Sequence, residues 1–205
     1  MNDDIHNNIG EAIERAMKSF DPAEELLKAE IKPTDEIEPP KIALMIDESI
    51  VSTLGNIVTF IGKAKSRKTF FITIAIAVAI SKDYVFFFFF SHLPKDKQTV
   101  ILFDTEQSKF HVQKTLLRIC EMTGIKEPNN LKVYGLRKYA PAERLQIIEY
   151  AINNTNNIGM VFIDGVKDLI TSINDEEQAT MIVSKLMKWT EEKNFSVFTV
   201  LHQNK

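Results

Sequence analysis

A short stretch between two apolar runs constrains the fold of this chain more than any other feature. Residues 62–69 read G-K-A-K-S-R-K-T; they follow the apolar run 56–61 and precede the apolar run 70–80. The first run is typical of a buried strand and the second of a buried helix. A strand, a glycine-containing loop and a helix in this order predict a phosphate-binding loop.

The candidate phosphate-binding residues are nine consecutive positions. In such a loop successive backbone N–H groups point inward, and the positive end of the following helix adds to their attraction for a triphosphate. Lys68 is then expected to neutralise the β- and γ-phosphates, and Thr69 to place its hydroxyl on Mg²⁺. The complete set is Gly62, Lys63, Ala64, Lys65, Ser66, Arg67, Lys68, Thr69 and Phe70.

One position departs from the pattern G-x-x-x-x-G-K-[ST], because Arg67 stands where a second glycine is expected. Glycine suits that position because the backbone passes close to phosphate and needs a conformation that a side chain disfavours. The alternative interpretation is a lysine-rich turn between a strand and a helix. The spacing of Gly62, Lys68 and Thr69 favours the phosphate-binding loop.

The charges divide the chain into an acidic leader and a mildly basic core. Residues 1–40 hold 4 Lys and Arg against 11 Asp and Glu, a balance of -7, whereas residues 41–205 balance at +4. The leader, residues 1–40, is predicted to contain two helical pieces and a proline-containing linker; the second piece has Asp21 as its N-cap and Pro22 at its first position. A charge of +4 on the core, residues 41–205, is too weak to argue nucleic-acid binding.

Strand and helix patterns alternate along the core. Apolar strand patterns cover residues 42–46, 56–61, 99–103, 131–136, 160–163 and 195–201. Helix patterns cover residues 108–122, which Gly124 ends, a segment that Pro141 opens, and residues 176–193. Continuous apolar strands separated by helices predict an α/β fold, with a mostly parallel sheet covered by helices on both faces.

Several classes of protein are excluded by composition and patterning. A single cysteine, Cys120, rules out a disulfide within the chain and a cysteine-based metal cluster, and we expect it to be buried. The N-terminus lacks the basic start and apolar stretch of a signal peptide, which predicts a cytoplasmic location. Residues 81–83, Ser-Lys-Asp, divide the apolar stretch 70–90 into pieces shorter than the roughly 20 residues of a membrane span. We therefore expect no membrane partner.

Five consecutive phenylalanines occupy residues 86–90. They cannot all face one side of a strand, so part of the run must meet a second surface. One interpretation is a buried edge or connection packed under a helix. The other is a contact between subunits, since an exposed aromatic patch of this size favours aggregation.

Three further groups needed for nucleotide hydrolysis follow strands of the predicted sheet. M-V-F-I-D ends in Asp164, the candidate metal-side carboxylate, for which a helix cap or turn is the alternative role. D-T-E-Q supplies Glu106 as the candidate base for the attacking water, or an acid at a helix start, and Asp104 as another metal-side candidate. L-H-Q-N supplies Gln203 as the candidate phosphate sensor; His202 is the alternative sensor, or a buried structural histidine.

The order of these motifs resembles that of the RecA-like ATPases, in particular the RepA, RadA and DnaB-type branch. The stretches I-D-G-V-K-D-L and L-H-Q-N-K are most similar to RepA-like AAA proteins of bacterial plasmids and mobile elements, and the resemblance covers about residues 40–205. It implies ATP and Mg²⁺ as ligands. The implied roles are phosphate binding by Gly62, Lys68 and Thr69, catalysis by Glu106, metal-water contact by Asp164, and phosphate sensing by Gln203 or His202.

The resemblance also implies a motor that acts on DNA. Its partners would be single-stranded DNA and further copies of the chain in a homo-oligomeric ring, with the site between subunits and an arginine lent by a neighbour. The activity expected is that of a Mg²⁺-dependent, helicase-like ATPase in replication or mobilisation of a genetic element. The alternative, which Arg67 favours, is a nucleotide-dependent switch with slow or absent hydrolysis. Because the chain stops directly after the sensor strand, we expect the core to be truncated at its C-terminus.

Overall fold

A computed structural model describes residues 20–63, 66–81, 88–171 and 176–202, with His202 described by its backbone alone. The chain divides into two units, with the boundary between Pro39 and Pro40. In the first unit, helix α1 (Pro22–Ala29) begins as predicted, because the Asp21 side chain accepts a hydrogen bond of 2.9 Å from the backbone N–H of Ala23. The other predicted leader helix lies outside the described residues.

The second unit alternates strands and helices along most of its length. In chain order its elements are β1 (Ile42–Ile46), β2 (Ser49–Thr53), β3 (Ile57–Gly62), α2 (Lys68–Ser81), β4 (Phe89–Phe90), β5 (Thr99–Asp104), α3 (Lys109–Thr123), β6 (Leu131–Gly135), α4 (Pro141–Asn153), β7 (Ile158–Asp164), a 3₁₀ helix (Val166–Leu169), α5 (Glu176–Lys193) and β8 (Ser196–His202).

The main sheet has five parallel strands in the order β3-β8-β7-β5-β6. Its central strands are buried on both faces. Along β5, Val100 and Leu102 pack with α2 and α3, whereas Ile101 and Phe103 pack with residues of α4 and α5 on the opposite face. The predicted α/β fold, with a parallel sheet between helices, is confirmed.

Helix α2 is apolar on all sides because it is enclosed on all sides. Residues 72–80 are all buried, and the helix contacts α3, β1, β4 and the main sheet. A helix without a polar face is stable in water only when it is covered in this way. Within the described parts of the chain, no helix is long and apolar enough to cross a membrane.

A second, antiparallel sheet of three strands has the order β2-β1-β4. The sequence pattern predicted β1 but assigned it to the parallel sheet, and it did not predict β2. Both errors have one cause: β1 and β2 are joined by a tight turn at Asp47, whose φ of 55° is left-handed, and such a connection produces antiparallel strands.

The phenylalanine run contributes β4 to this second sheet. Phe89 and Phe90 are half-buried against the core, and the rings of Phe89 and Phe71 meet edge to face at 5.6 Å. Phe88 is 58% exposed, and residues 86–87 lie outside the described part of the chain. For Phe89 and Phe90 these contacts support the interpretation of an edge or connection packed under a helix.

Helix α3 ends as predicted at Gly124, whose φ of 69° is left-handed. The expectation that Cys120 is buried is wrong, because this residue on α3 is half-buried. Only Val112, Thr115 and Ile119 are buried on this helix, so α3 covers the sheet with one narrow face and Cys120 lies at its margin.

Candidate nucleotide-binding site

The predicted phosphate-binding loop joins β3 to α2 at the carboxyl edge of the parallel sheet. Gly62 lies where the loop turns back on itself, since a Cβ atom there would lie 2.9 Å from Ser66 Oγ. Ala64 and Lys65 lie outside the described residues. The carboxyl edge of a parallel sheet is where α/β proteins bind nucleotides.

Lys68 points back over the loop from the first position of α2. Its ammonium group donates hydrogen bonds to the carbonyl oxygens of Gly62 and Lys63, both at 2.8 Å, and to Ser66 Oγ at 3.3 Å. The side chain of Lys63 itself is exposed. The loop oxygens therefore hold one positive charge at the mouth of the loop, where a phosphate chain would meet it.

Arg67 has the backbone conformation for which glycine is expected at its position. Its φ of 63° lies in the left-handed region, which costs a residue with a Cβ atom about 1–2 kcal/mol. Its carbonyl oxygen accepts hydrogen bonds from the backbone N–H groups of Phe70 and Phe71 at 3.0 and 3.1 Å. Arg67 therefore serves as the N-cap of α2, and its side chain is exposed.

Thr69 and Asp164 join the loop to the interior of the sheet. The Thr69 hydroxyl donates a hydrogen bond of 2.9 Å to Asp164 Oδ2, and Asp164 is 4% exposed at the end of β7. Strand β8 lies between β3 and β7, so this bond spans one intervening strand. It brings together the hydroxyl and the carboxylate that the sequence assigned to the metal.

Asp104 ends β5 directly beside Asp164. Its carboxylate accepts hydrogen bonds from the backbone N–H groups of Glu106 and Gln107 and from the Gln107 side chain, at 3.1, 2.7 and 2.8 Å. Burial raises the pKa of the Asp104 carboxyl, the bond from the Gln107 backbone lowers it, and the nearby Asp164 carboxylate raises it again. Asp104 thus shapes the loop that carries Glu106.

Glu106 is held against the end of β7 by close packing. The preceding residue, Thr105, is 1% exposed, and its hydroxyl lies 2.9 Å from the carbonyl oxygens of Asp164 and Gly165 and 3.0 Å from Asp168 Oδ2. A Cβ atom on Gly165 would lie 2.8 Å from Glu106 Cγ. The structure therefore brings Glu106 close to the backbone that follows Asp164.

Sequence reasoning missed Thr105, Gly165 and Asp168. Each adjoins or follows a motif that was identified, D-T-E-Q or I-D-G-V-K-D-L, but only the pairing of β5 with β7 brings them into contact. The signal available was the glycine directly after the strand-ending Asp164, since glycine there permits a φ of 99° and the close approach of Thr105.

The remaining predicted residues lie around the loop. The backbone of His202 pairs with that of Gly62, so the end of β8 lies beside the start of the loop. Gln203 lies outside the described residues. Phe70 is 39% exposed on the first turn of α2, and the Arg118 guanidinium lies 6.0 Å from the centre of its ring.

The oxygen donors at the sheet edge fit a hard cation of the Mg²⁺ type. The described residues contain no group of three or more His, Cys, Asp and Glu arranged to hold a metal ion. Mg²⁺ with a nucleotide needs fewer protein ligands, because phosphate oxygens and water complete its shell. The Thr69 hydroxyl and the Asp164 carboxylate supply such a donor set next to the loop.

Three features of this site define the class of P-loop nucleotide-binding proteins. They are the loop that begins at a glycine, the lysine held over that loop, and the hydrogen bond between a hydroxyl and a carboxylate at the edge of a parallel sheet. The family model described as an AAA domain matches residues 23–205, so the chain belongs to this family of P-loop ATPases. The match begins within α1 and includes more of the chain than the resemblance noted from residue 40. No curated protein matches the sequence.

Proposed function

We propose that this chain binds ATP with Mg²⁺ at the carboxyl edge of its parallel sheet and hydrolyses it to drive work on DNA. The observation that carries the proposal is the 2.9 Å bond between Thr69 and Asp164, beside a loop whose oxygens hold the Lys68 ammonium group. A lysine-rich turn with no ligand gives no reason for a buried carboxylate to meet the first helical hydroxyl across an intervening strand.

Binding of the triphosphate is assigned to residues 62–70. The backbone N–H groups of the loop and the N-terminus of α2 face the phosphates, and Lys68 exchanges its bonds to loop oxygens for bonds to the β- and γ-phosphates. The exposed cations Lys63 and Arg67 add to the local positive charge. Phe70 and Arg118, which lie against each other on the first turn of α2 and on α3, add a ring and a cation next to the loop.

Thr69 and Asp164 would hold Mg²⁺, Thr69 directly through its hydroxyl and Asp164 through a bound water. When bound, the cation offsets the negative charge that develops on the phosphate oxygens during transfer. Asp164 orients the Thr69 hydroxyl through their hydrogen bond, and burial excludes bulk water from its carboxylate.

Glu106 is our choice for the base that takes a proton from the attacking water. Asp104 is the weaker candidate, because its carboxylate accepts three hydrogen bonds from Glu106 and Gln107. Gln203 or His202 would sense the γ-phosphate, and the pairing of His202 with Gly62 supports a role at this end of β8.

The kind of work proposed is that of a RecA-like motor of the RepA, RadA and DnaB-type branch, which forms a ring on single-stranded DNA and takes an arginine from a neighbouring subunit. The five-stranded parallel sheet and membership of the AAA domain family support this proposal. A nucleotide-dependent switch is the second candidate, favoured by Arg67, whose side chain and strained backbone occupy the glycine position of the loop.

The test is the rate of ATP hydrolysis with and without single-stranded DNA. The motor requires hydrolysis that depends on Mg²⁺ and rises with DNA, whereas the switch requires ATP binding with little hydrolysis under both conditions. Thr69→Ala should abolish Mg²⁺-dependent hydrolysis, and Thr69→Ser, which keeps the hydroxyl, should retain it. Equal activity of the alanine and serine variants would contradict the assigned site.

A further inference from the structure

A groove of about 960 Å³ opens beside the nucleotide-binding site, between the first turns of α3 and the loop that follows β6. Its floor is apolar, formed by Val112 and Leu116 of α3 and Val133 of β6. We call it the basic groove, because its rim carries Lys109 on one side and Arg137 and Lys138 on the other.

The charge of the basic groove has one sign. All three of these rim cations are exposed, and none of the groove-lining residues is an aspartate or glutamate. Two carboxylates lie next to the groove in sequence. Glu106 directly precedes Gln107, and Glu143 of α4 accepts a hydrogen bond from the backbone N–H of Ala140, the residue before α4. This concentration of positive charge contrasts with the near balance over the whole core, and it selects a polyanion as the occupant.

Aromatic rings accompany the cations. Phe110 is 59% exposed at the groove, and the ammonium group of Lys114 lies 4.7 Å from the centre of its ring. On the opposite rim, Lys138 lies 4.8 Å from the ring of Tyr139. An exposed ring beside ammonium groups provides a stacking surface for a base together with charges for its phosphates.

The rim is held in place before any ligand binds. Arg144 of α4 donates hydrogen bonds to the carbonyl oxygens of Leu136, Arg137 and Asp168, at 3.2, 2.9 and 2.8 Å. The backbone N–H of Tyr139 also donates to the Leu136 carbonyl at 3.1 Å. The backbone that carries Arg137 and Lys138 therefore needs little reordering on binding, which lowers the entropic cost of association.

The basic groove shares residues with the loop that carries Glu106. Gln107 lines the groove and also donates two hydrogen bonds to the Asp104 carboxylate. On the other rim, the backbone N–H of Leu136 donates to the Asp104 carbonyl at 2.7 Å. A ligand that displaces Gln107 or the backbone of Leu136 would thus shift the loop that carries Glu106.

We propose that the basic groove binds single-stranded nucleic acid, with a base stacked on Phe110 and phosphates at Lys109, Arg137 and Lys138, and that its occupancy adjusts Glu106 through Gln107. This inference rests on the proposed function, because it assigns a surface to the DNA on which the ATPase is proposed to act.

The experiment measures binding of a fluorescent oligothymidylate to the full chain across a range of salt concentrations. Phe110→Ala should weaken binding roughly 5- to 100-fold, the scale of one lost base stack, and Phe110→Tyr should restore it. Lys138→Ala should reduce the salt slope by about 0.7, the value for one contact with single-stranded phosphate. Both variants should keep the affinity for ATP and the ATPase rate without DNA, and lose stimulation at oligonucleotide concentrations that saturate the unaltered chain.

Matched controls lie on the other face of the sheet. Tyr150→Ala removes a ring that is 71% exposed on α4, and Lys188→Ala removes a lysine whose side chain is 68% exposed on α5. Neither should change oligonucleotide binding.

Inorganic polyphosphate, which has charge without bases, should compete only weakly with the oligothymidylate for the basic groove.

Four results would overturn the inference. If the unaltered chain binds oligothymidylate and the groove variants bind it equally well, DNA binds elsewhere and the proposed function stands. If the unaltered chain binds no oligonucleotide, both the groove and the DNA part of the function fail, whereas ATP binding is measured separately. If Phe110→Ala has no effect and polyphosphate displaces the probe fully, the groove is a general anion site. If Phe110→Ala changes the molar mass by light scattering without changing probe binding, the occupant is a second copy of the chain.

Discussion

Arg67 shows how one residue adopts a conformation imposed by its surroundings. Its left-handed backbone lets its carbonyl oxygen cap α2 while the chain turns toward Lys68, whose ammonium group binds the loop oxygens. These bonds outweigh the strain of a side chain at positive φ, which is about 1–2 kcal/mol. The loop therefore keeps its shape without the second glycine.

Arg67→Gly tests this explanation. The glycine variant loses the backbone strain of the folded state, but its unfolded chain is more flexible. Because the loss of strain is the larger effect, we expect the free energy of unfolding to rise by about 0.5–1 kcal/mol. Urea denaturation measures the change, and Arg67→Ala, which keeps the strain but removes the charge, should give no such gain. ATP affinity in the glycine variant should stay similar or fall slightly. A large gain in affinity would mean that the arginine impedes binding, in favour of the switch.

Glu106 provides the second test at single residues. Glu106→Gln keeps shape and hydrogen bonding but removes basicity, so ATP should bind normally while turnover falls by roughly 10²-fold or more. Single-turnover hydrolysis separates the two effects, and Glu121→Gln, an exposed acid on α3, is the control. If hydrolysis survives, the proton must go to Asp104 or Asp164 instead.

At the scale of elements, the ends of β5 and β7 form one unit. Asp104 and Asp164 are neighbours in register, Thr105 bonds to the backbone after β7, and Gly165 leaves no room for a Cβ atom against Thr105 or Glu106. The loop that carries Glu106 is therefore aligned by the pairing of β5 with β7, not by its own sequence.

Gly165→Ala should break this alignment. Its backbone strain costs about 1–2 kcal/mol and its steric overlap about 1–3 kcal/mol more, so unfolding should become easier by about 2–5 kcal/mol. Gly124→Ala is the matched control, since Gly124 also has a positive φ but has open space around its Cβ position. Denaturation and turnover of both variants should be compared. Equal losses of stability would exclude a steric role for Gly165.

At the scale of the whole molecule, the residues of the candidate site follow several strands of the parallel sheet. The loop follows the edge strand β3, while Asp164 and Glu106 follow strands two and three places further in. Ligand binding at such a site should stabilise the folded core as a unit, because the groups that meet the ligand come from widely separated parts of the sequence.

Thermal unfolding in excess Mg²⁺ and ATP measures this linkage. At a ligand concentration of about 100 Kd the folded state gains about 2.7 kcal/mol. For a chain of this length the gain corresponds to an increase in Tm of about 5–10 °C. Chelation of Mg²⁺ should remove most of the shift. Lys68→Ala, expected to weaken ATP binding at least tenfold, should lose about half of the shift or more at the same ATP concentration, because about 10 Kd of ligand gives only about 1.4 kcal/mol. A full shift in that variant would contradict the loop assignment.

The elements and the loop could be predicted from sequence because their signals are local. Apolar runs marked β3, β5, β7 and β8, the pattern over residues 176–193 matched α5, and the spacing of Gly62, Lys68 and Thr69 predicted the loop. These patterns come from neighbouring residues in one segment, where periodicity and capping act.

Contacts between distant segments determined the features that local patterns did not predict. Contacts between segments far apart in sequence insert β8 between β3 and β7 and join Thr105 to Asp168. They also place Phe110 and the loop after β6 on opposite sides of one groove. No local pattern specifies such contacts, because strand order follows from which buried surfaces fit together once the chain has closed its loops. The sequence therefore supplied the chemical groups, and the packed sheet brought them within bonding distance.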